Sequence, residues 1–176
     1  CFIEILKKSN VQFKGAVSSS EASTLLLQEF NVEIFSLNDV NEIQFYIDGA
    51  DEVDPSHNLI KGGGGAHTRE KLVASASNQF ICIVDQSKHV DCLGDFGVPV
   101  EVLIESRSFV SREIVKLGGV PTYRSGVSTD QSNHIIDVSK LDLSKPKDME
   151  IQINSIPGVV ENGIFAIRKP NKVLTA

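Results

Sequence analysis

Four consecutive glycines, Gly62 to Gly65, follow Lys61 in the stretch FYIDGADEVDPSHNLIKGGGGAHTREK, residues 45–71. Asp48 and Asp51 lie just upstream of them and Glu70 just downstream. Few structural needs put three carboxylates, a lysine and a bare backbone so close together. Ile43, Phe45 and Ile47 alternate with Gln44 and Tyr46, and Asp48-Gly49 follows. That pattern predicts a strand with Ile43, Phe45 and Ile47 on one face, ending at Asp48. Asp48 then marks the carboxyl edge, where ligands collect in open α/β sheets. Gly49 lets the chain turn, Asp51 lies in the turn, and residues 53–58 read as loop. From Ala66 to Ser77 the composition is helical, with Glu70 in the first turns. The helix dipole there favours a charged carboxylate, and burial disfavours it.

A glycine run exposes consecutive N–H groups and lets a ligand approach the main chain. It also suits a flexible linker, as Asp-Gly suits a plain turn. Walker A is excluded, because the lysine precedes the glycines. The dinucleotide fingerprint is excluded too, because that motif directly follows a strand.

The rest of the chain frames this stretch. Val11 to Val17 reads as a strand, and Ser20 as the N-cap of a helix from Glu21 to about Phe30. For the cluster Ser18 to Ser20, capping is the preferred role. Val32 to Phe35 is a short strand and Phe80 to Val84 an apolar one. Strands alternating with helices predict a parallel, doubly wound α/β sheet. Asp85-Gln86-Ser87-Lys88 leaves the last of these strands at the same carboxyl edge. From Gly94 the character changes. Val98, Val100, Val102 and Ile104 alternate as in a half-buried strand, and residues 106–117 have helical spacing closed by Gly118-Gly119. Pro121 to Ser125 and His134 to Val138 read as paired strands, 147–154 as a helix, and Val159 to Ala166 as a last strand. This β-α-β-β-α-β order is ferredoxin-like. The expected division is an α/β catalytic domain, 1–96 plus 167–176, and a smaller α+β domain, 97–166.

The chain has 176 residues, 41% hydrophobic and 23% charged, enough for one large or two small domains. Its net charge of −6 argues against a nucleic-acid surface, so an anionic ligand must be attracted by local lysines. No apolar run approaches the roughly 20 residues of a membrane helix. The three cysteines, Cys1, Cys82 and Cys92, fit no metal spacing. Cys82 reads as a small core residue, and a reducing cytoplasm is the simplest setting. His57, His89 and His134 stand in polar context and are expected at the surface. No carboxylate–histidine cluster points to a metal. Residues 1–10 read as the last turns of an amphipathic helix with Phe2, Ile5 and Leu6 on one face.

YIDGADEVD, IKGGGGAHTREKLVAS and FICIVDQSK resemble the signature blocks of ribose-5-phosphate isomerase type A. GAVSSSEAST (15–24) and GVPVEV (97–102) are similar to further blocks of that family, in the same order. The family usually reads Lys-Gly-Gly-Gly-Ala-Ala, so Gly65 and His67 are departures here, His67 at a position that is usually apolar. A glycine-rich loop that opens the first helix in the family is absent from residues 1–176, so the resemblance implies a chain cut at its start and shortly before its end.

The resemblance implies interconversion of D-ribose 5-phosphate and D-ribulose 5-phosphate with no cofactor, in a homodimer or homotetramer. It assigns Asp48, Gly49, Ala50, Asp51, Lys61, Gly62, Gly63, Gly64 and Lys88 to the sugar phosphate. The proton shift between C1 and C2 needs one base and groups that stabilise an enediolate. Glu70 is the expected base, Lys61 and the loop N–H groups suit the developing charge, and Asp48 and Asp51 suit the sugar hydroxyls and ring opening. Two other classes compete. A sugar-phosphate-sensing regulatory domain would leave Glu70 without a necessary role. A coenzyme A transferase would make Glu70 a covalent nucleophile. The DGADE and KGGG blocks favour the isomerase.

Overall fold

A computed structural model describes residues 2–9 and 11–176, so Cys1 lies outside the described residues. The chain opens with α1 (Phe2–Lys8) and α2 (Glu21–Glu29). Then come β1 (Ile43–Asp48), β2 (Glu52–Val53), β3 (Leu59–Ile60), α3 (His67–Ala76) and β4 (Ser77–Val84). A second run follows: β5 (Val98–Val102), α4 (Arg107–Lys116), β6 (Val120–Tyr123), β7 (His134–Ser139), α5 (Pro146–Asn154) and β8 (Val159–Asn162). Finally β9 (Ile164–Phe165) and β10 (Lys172–Thr175) close the chain.

The class is α/β. β1, β4 and β10 form a parallel sheet in the order β1-β4-β10, so the tail does return to the first sheet. β5 to β8 form an antiparallel sheet in the order β6-β7-β5-β8, which with α4 and α5 is the ferredoxin-like arrangement. Between them β2, β3 and β9 make a small antiparallel sheet. One core joins the four-stranded sheet to its helices around Val100, Val110, Ile114, Ile136 and Ile153. A second lies under the parallel sheet around Tyr46, Leu59, Val73, Phe80 and Phe165. Phe80 is central there, with ring centroids 5.1 Å from Tyr46 and 6.4 Å from Phe165. Burying such a ring stabilises by roughly 1.5–3 kcal/mol.

Several expectations are corrected. In β1 the buried residue is Tyr46, while Phe45 is 60% exposed. Tyrosine reads as polar in a pattern, yet its ring packs on Phe80 and only its hydroxyl needs a polar partner. The segments 11–17 and 32–35 do not form strands; they meet in one parallel bridge, Ala16 to Ile34. Residues 11–14 are exposed, so a longer ladder there would bury little. Among the described side chains of α1, Ile3 and Leu6 are half-buried, three apart on one face, and Ile5 is exposed. β5 is buried at every position and stops at Val102. Its second face, with Glu101, is covered by Thr68 at the start of α3. Val53 lies in β2 rather than in loop.

The expected last strand breaks at Gly163. Gly163 N–H donates to Pro99 O (2.7 Å), and Lys61 N–H donates to Gly163 O (2.9 Å). A Cβ at position 163 would lie 2.2 Å from Lys61 O, so only glycine lets these backbones meet. The chain therefore switches sheets there, and Lys61 is pinned from behind.

Candidate active site

β1 delivers Asp48 to the carboxyl edge of the parallel sheet, level with Cys82 of β4. Lys61 follows β3, and its ammonium group is the hub. Nζ lies 3.0 Å from Asp48 Oδ2, 3.3 Å from Glu70 Oε2 and 2.5 Å from Gly49 O. An ammonium has three protons, and three acceptors surround it. Its side chain is only 4% exposed. Asp48 is held further: Tyr46 O–H donates to Oδ2, and Gly49 N–H donates to Oδ1 (2.8 Å). Ser19 Oγ lies 3.4 Å from the Tyr46 hydroxyl, while Ser20 caps α2 by accepting from Ser23 N–H (3.1 Å). Capping is thus Ser20's role, and Ser19 reaches the rim of the carboxylate cluster.

Glu70 lies in the first turn of α3 and points back at Lys61. Its Oε2 is buried and within ion-pair reach of Nζ, but not aligned as a hydrogen bond. Burial pushes its carboxyl above the ordinary range; Lys61 opposes this, and the charge of Asp48 adds to it. For Lys61, burial works against the charge, but Glu70 and Asp48 outweigh it, so the ammonium is held more firmly than usual. Tyr46 is pushed well above its usual range by burial and then by Asp48 and Glu70, so its hydroxyl remains a donor.

The glycine loop closes the other side. Gly62 has φ +109° and Gly65 φ +82°, both in the left-handed region. A Cβ on Gly62 would lie 2.8 Å from His67 Nδ1. Gly63 N–H donates to Asp51 Oδ2 (2.8 Å). Gly64 has nothing within 4 Å of where a Cβ would stand, and its N–H has no acceptor among the described residues. Ala66, at the N-cap of α3, supplies no side-chain cap. The loop thus leaves Gly64 in open space with its N–H unengaged among the described residues.

The structure brings together Asp48, Gly49, Asp51, Lys61, Gly62, Gly63 and Glu70, with Gly64 and the half-buried Ala50 at the margin. It leaves Lys88 apart. Lys88 ends a short 3₁₀ turn after β4, capped by Asp85, and its half-buried side chain has no ion pair among the described residues. Of the histidines, His57 and His89 are exposed as expected, but His134 is half-buried, its ring 5.0 Å from that of Tyr123.

Three supporting residues were not legible as such. Tyr46 looked like strand pattern. Glu52 is 3% exposed and accepts from the N–H groups of Gly94 (2.7 Å) and Phe96. Arg124, from the loop after β6, donates through Nη1 to Gly62 O (3.1 Å) and Gly63 O (3.0 Å). Only for Glu52, next to Asp51, was there a local signal. Among the described residues no group of three His, Cys, Asp or Glu is placed to hold a metal.

The model of the family ribose 5-phosphate isomerase A (phosphoriboisomerase A) matches residues 15–176. The chain belongs to that family. Its members are aldose–ketose isomerases acting on ribose and ribulose 5-phosphates. The ribose 5-phosphate isomerase A from Neisseria gonorrhoeae is 49% identical, with a TM-score of 0.97, over 99% of this chain and 78% of that one. A D-ribose-5-phosphate isomerase in complex with phospho-erythronic acid is 39% identical, TM-score 0.92, over 98% of this chain and 79% of that one. The enzyme from Methanocaldococcus jannaschii is also 39% identical, TM-score 0.87, over 92% and 73%. These matches lend no support to the sensing-domain or coenzyme A transferase readings.

Proposed function

We propose that this chain interconverts D-ribose 5-phosphate and D-ribulose 5-phosphate with Glu70 as the single base. The observation that carries the assignment is the buried Glu70 carboxylate 3.3 Å from Lys61 Nζ. Burial raises the proton affinity of Glu70 towards what a neutral-pH base needs. Glu70 takes the proton from C2 of the aldose and returns it to C1, while the proton of the C2 hydroxyl passes to the C1 oxygen, leaving the ketone at C2. Negative charge grows on the carbonyl oxygen meanwhile. Lys61 and the open Gly64 N–H are suited to hold it, because both are fixed before the reaction begins.

The two aspartates divide the remaining work. Asp48 already accepts from Tyr46, Lys61 and Gly49, so it mainly holds Lys61. Asp51 uses Oδ2 for Gly63 and keeps Oδ1 without a donor among the described residues. Asp51 is therefore the better acceptor for a sugar hydroxyl, including that released on ring opening. Gly49, Ala50, Gly62 and Gly63 shape the wall, and Lys88 attracts the phosphate from the same sheet edge.

Related proposals rest on the family and the fold. The catalytic α/β part is 1–96 plus 167–176 and the α+β part 97–166, with β9 crossing to pair with β3. A homodimer or homotetramer in the cytoplasm fits the family and the free thiols Cys82 and Cys92. No helix among the described residues is long and apolar enough to cross a membrane. No cofactor and no nucleic acid enter the proposal.

The test is the assay of ribulose 5-phosphate formed from ribose 5-phosphate, with the Glu70→Gln variant alongside. Glu70→Gln keeps shape but not basicity, so kcat is expected to fall at least about a hundredfold, with affinity for substrate largely kept. Exchange of the C2 proton with solvent should fail in parallel. Retained exchange in Glu70→Gln, with loss in Asp48→Asn or Asp51→Asn, would move the base to another carboxylate.

A further inference from the structure

We infer that Arg124 is a positioning residue that aims the Gly64 N–H at the reacting oxygens and holds the Gly63 N–H on Asp51. The inference rests on the isomerase reading above and extends it to the four-stranded sheet. Arg124 stands beyond β6, far from the motif in sequence. Nε and Nη2 bind the Asp137 carboxylate in β7 at 2.8 and 2.5 Å, a two-point grip that fixes the guanidinium plane. The remaining nitrogen, Nη1, donates to both Gly62 O and Gly63 O.

The consequence follows from peptide geometry. The peptide unit is planar, and among the described residues every one is trans, so C=O and the following N–H point in opposite directions. Drawing Gly62 O to Arg124 turns Gly63 N–H away from it, and that N–H meets Asp51. Drawing Gly63 O to the same nitrogen turns Gly64 N–H away as well. That N–H has no acceptor among the described residues, and open space surrounds the position a Gly64 Cβ would take. A glycine run has no side chains to set these two planes by packing, and left alone it would sample many orientations. Arg124 supplies the constraint from outside the motif. Its side chain is 17% exposed; the bond to Gly62 O is part-buried and the bond to Gly63 O lies at the surface. The same grip draws electron density on the two carbonyls toward a cation, which makes the two N–H groups better donors.

The experiment compares Arg124→Met and Arg124→Lys with the parent protein. Steady-state kinetics, urea unfolding and binding of two phosphorylated probes are measured. One probe is phospho-erythronic acid, whose carboxylate places charge where the enediolate carries it. The other is ribitol 5-phosphate, which has no charge at that end. The expected result for Arg124→Met is a fall in kcat of about 10- to 100-fold with KM within about twofold, as for a misaimed oxyanion donor. Binding of the acid should weaken by a similar factor, and that of ribitol 5-phosphate should not. Arg124→Lys keeps charge but loses the fork, so its kcat should fall between parent and Met variant. If the Met variant does not fold, the Lys variant carries the same comparison with ribitol 5-phosphate. Unchanged kcat in a folded Arg124 variant, or equal weakening of both probes, would overturn the inference. A parent protein without isomerase activity would instead overturn the functional reading on which it rests.

Discussion

Glu70, Lys61 and Asp48 share one small volume, and their charges cannot be set independently. The Lys61 ammonium is stabilised by two carboxylates, and it in turn opposes the upward pull of burial on Glu70. Because burial raises the Glu70 pKa, the acid limb of the pH profile of kcat/KM is expected above the ordinary glutamate value of about 4.3. Below that limb the base is protonated and activity falls; above it the base is free. An acid limb at or below the ordinary value would mean that the open site hydrates Glu70 before catalysis. Lys88 presents a different case. It follows β4 at the edge that carries Asp48, yet among the described residues no hydrogen bond or ion pair joins its side chain to the catalytic groups. Lys88→Ala should raise KM by about tenfold or more and leave kcat within about threefold, the pattern of binding shared by ground and transition states. A collapse of kcat at unchanged KM would move Lys88 into the chemistry.

At the scale of elements, α3 is the part that must not move, because Glu70 rides on its first turn. Thr68 donates to Glu101 of β5, and Arg69 Nη1 lies 2.9 Å from Asp130 Oδ2. His67 is fully buried between the glycine loop and β8, with Nε2 3.3 Å from Glu161 O and Nδ1 without a hydrogen-bond partner among the described residues. Burial lowers its pKa to about 4; Glu101 opposes this, and Lys71 reinforces it. The unfolded chain, with an ordinary histidine near 6.5, binds the proton first as pH falls. Stability is therefore lost between about pH 6.5 and 4, by on the order of 3 kcal/mol for this residue. His67→Leu should remove that share, so its urea-unfolding free energy declines less steeply than the parent's across this range. Parallel curves for the two proteins would show that His67 stays neutral in both states or is already protonated when folded.

Across the whole molecule, the two sheets are joined by charge as well as by packing. Lys71 of α3 reaches Glu150 of α5 (3.0 Å), Glu161 of β8 (2.9 Å) and Asn162 O (2.7 Å), and its Nζ lies 4.9 Å from the centre of the Phe165 ring. Glu150 also accepts from the N–H groups of Ala166 and Ile167 (both 2.8 Å), where the chain turns back toward β10. Removing one member of such a network leaves the others charged and dry. Lys71→Met should cost about 3–5 kcal/mol in urea unfolding, and Lys71→Met with Glu150→Gln should recover part of it. A loss under about 1 kcal/mol for the single variant would mean that water reaches the carboxylates and the network holds little.

The sequence by itself determined the pieces that are local. The strand ending at Asp48, the Ser20 cap, the glycine loop, the helix carrying Glu70 and the β-α-β-β-α-β order all follow from periodicities and turn residues read over a few positions. The motif residues were legible because their types and spacing are unusual in one stretch. What only the tertiary structure decided depends on contacts between distant segments. Phe45 and Tyr46 exchange inside and outside because Phe80, 34 residues on from Tyr46, is there to stack on. Both faces of β5 are buried because α3 lies over Glu101. The last strand breaks because Lys61 and Pro99 meet at Gly163. Arg124 belongs to the site because β6 and β7 carry it to carbonyl groups 62 and 61 residues away along the chain. Local patterns set what each segment can be; burial and close approach between segments, which no window of sequence contains, set which face it shows and what it holds.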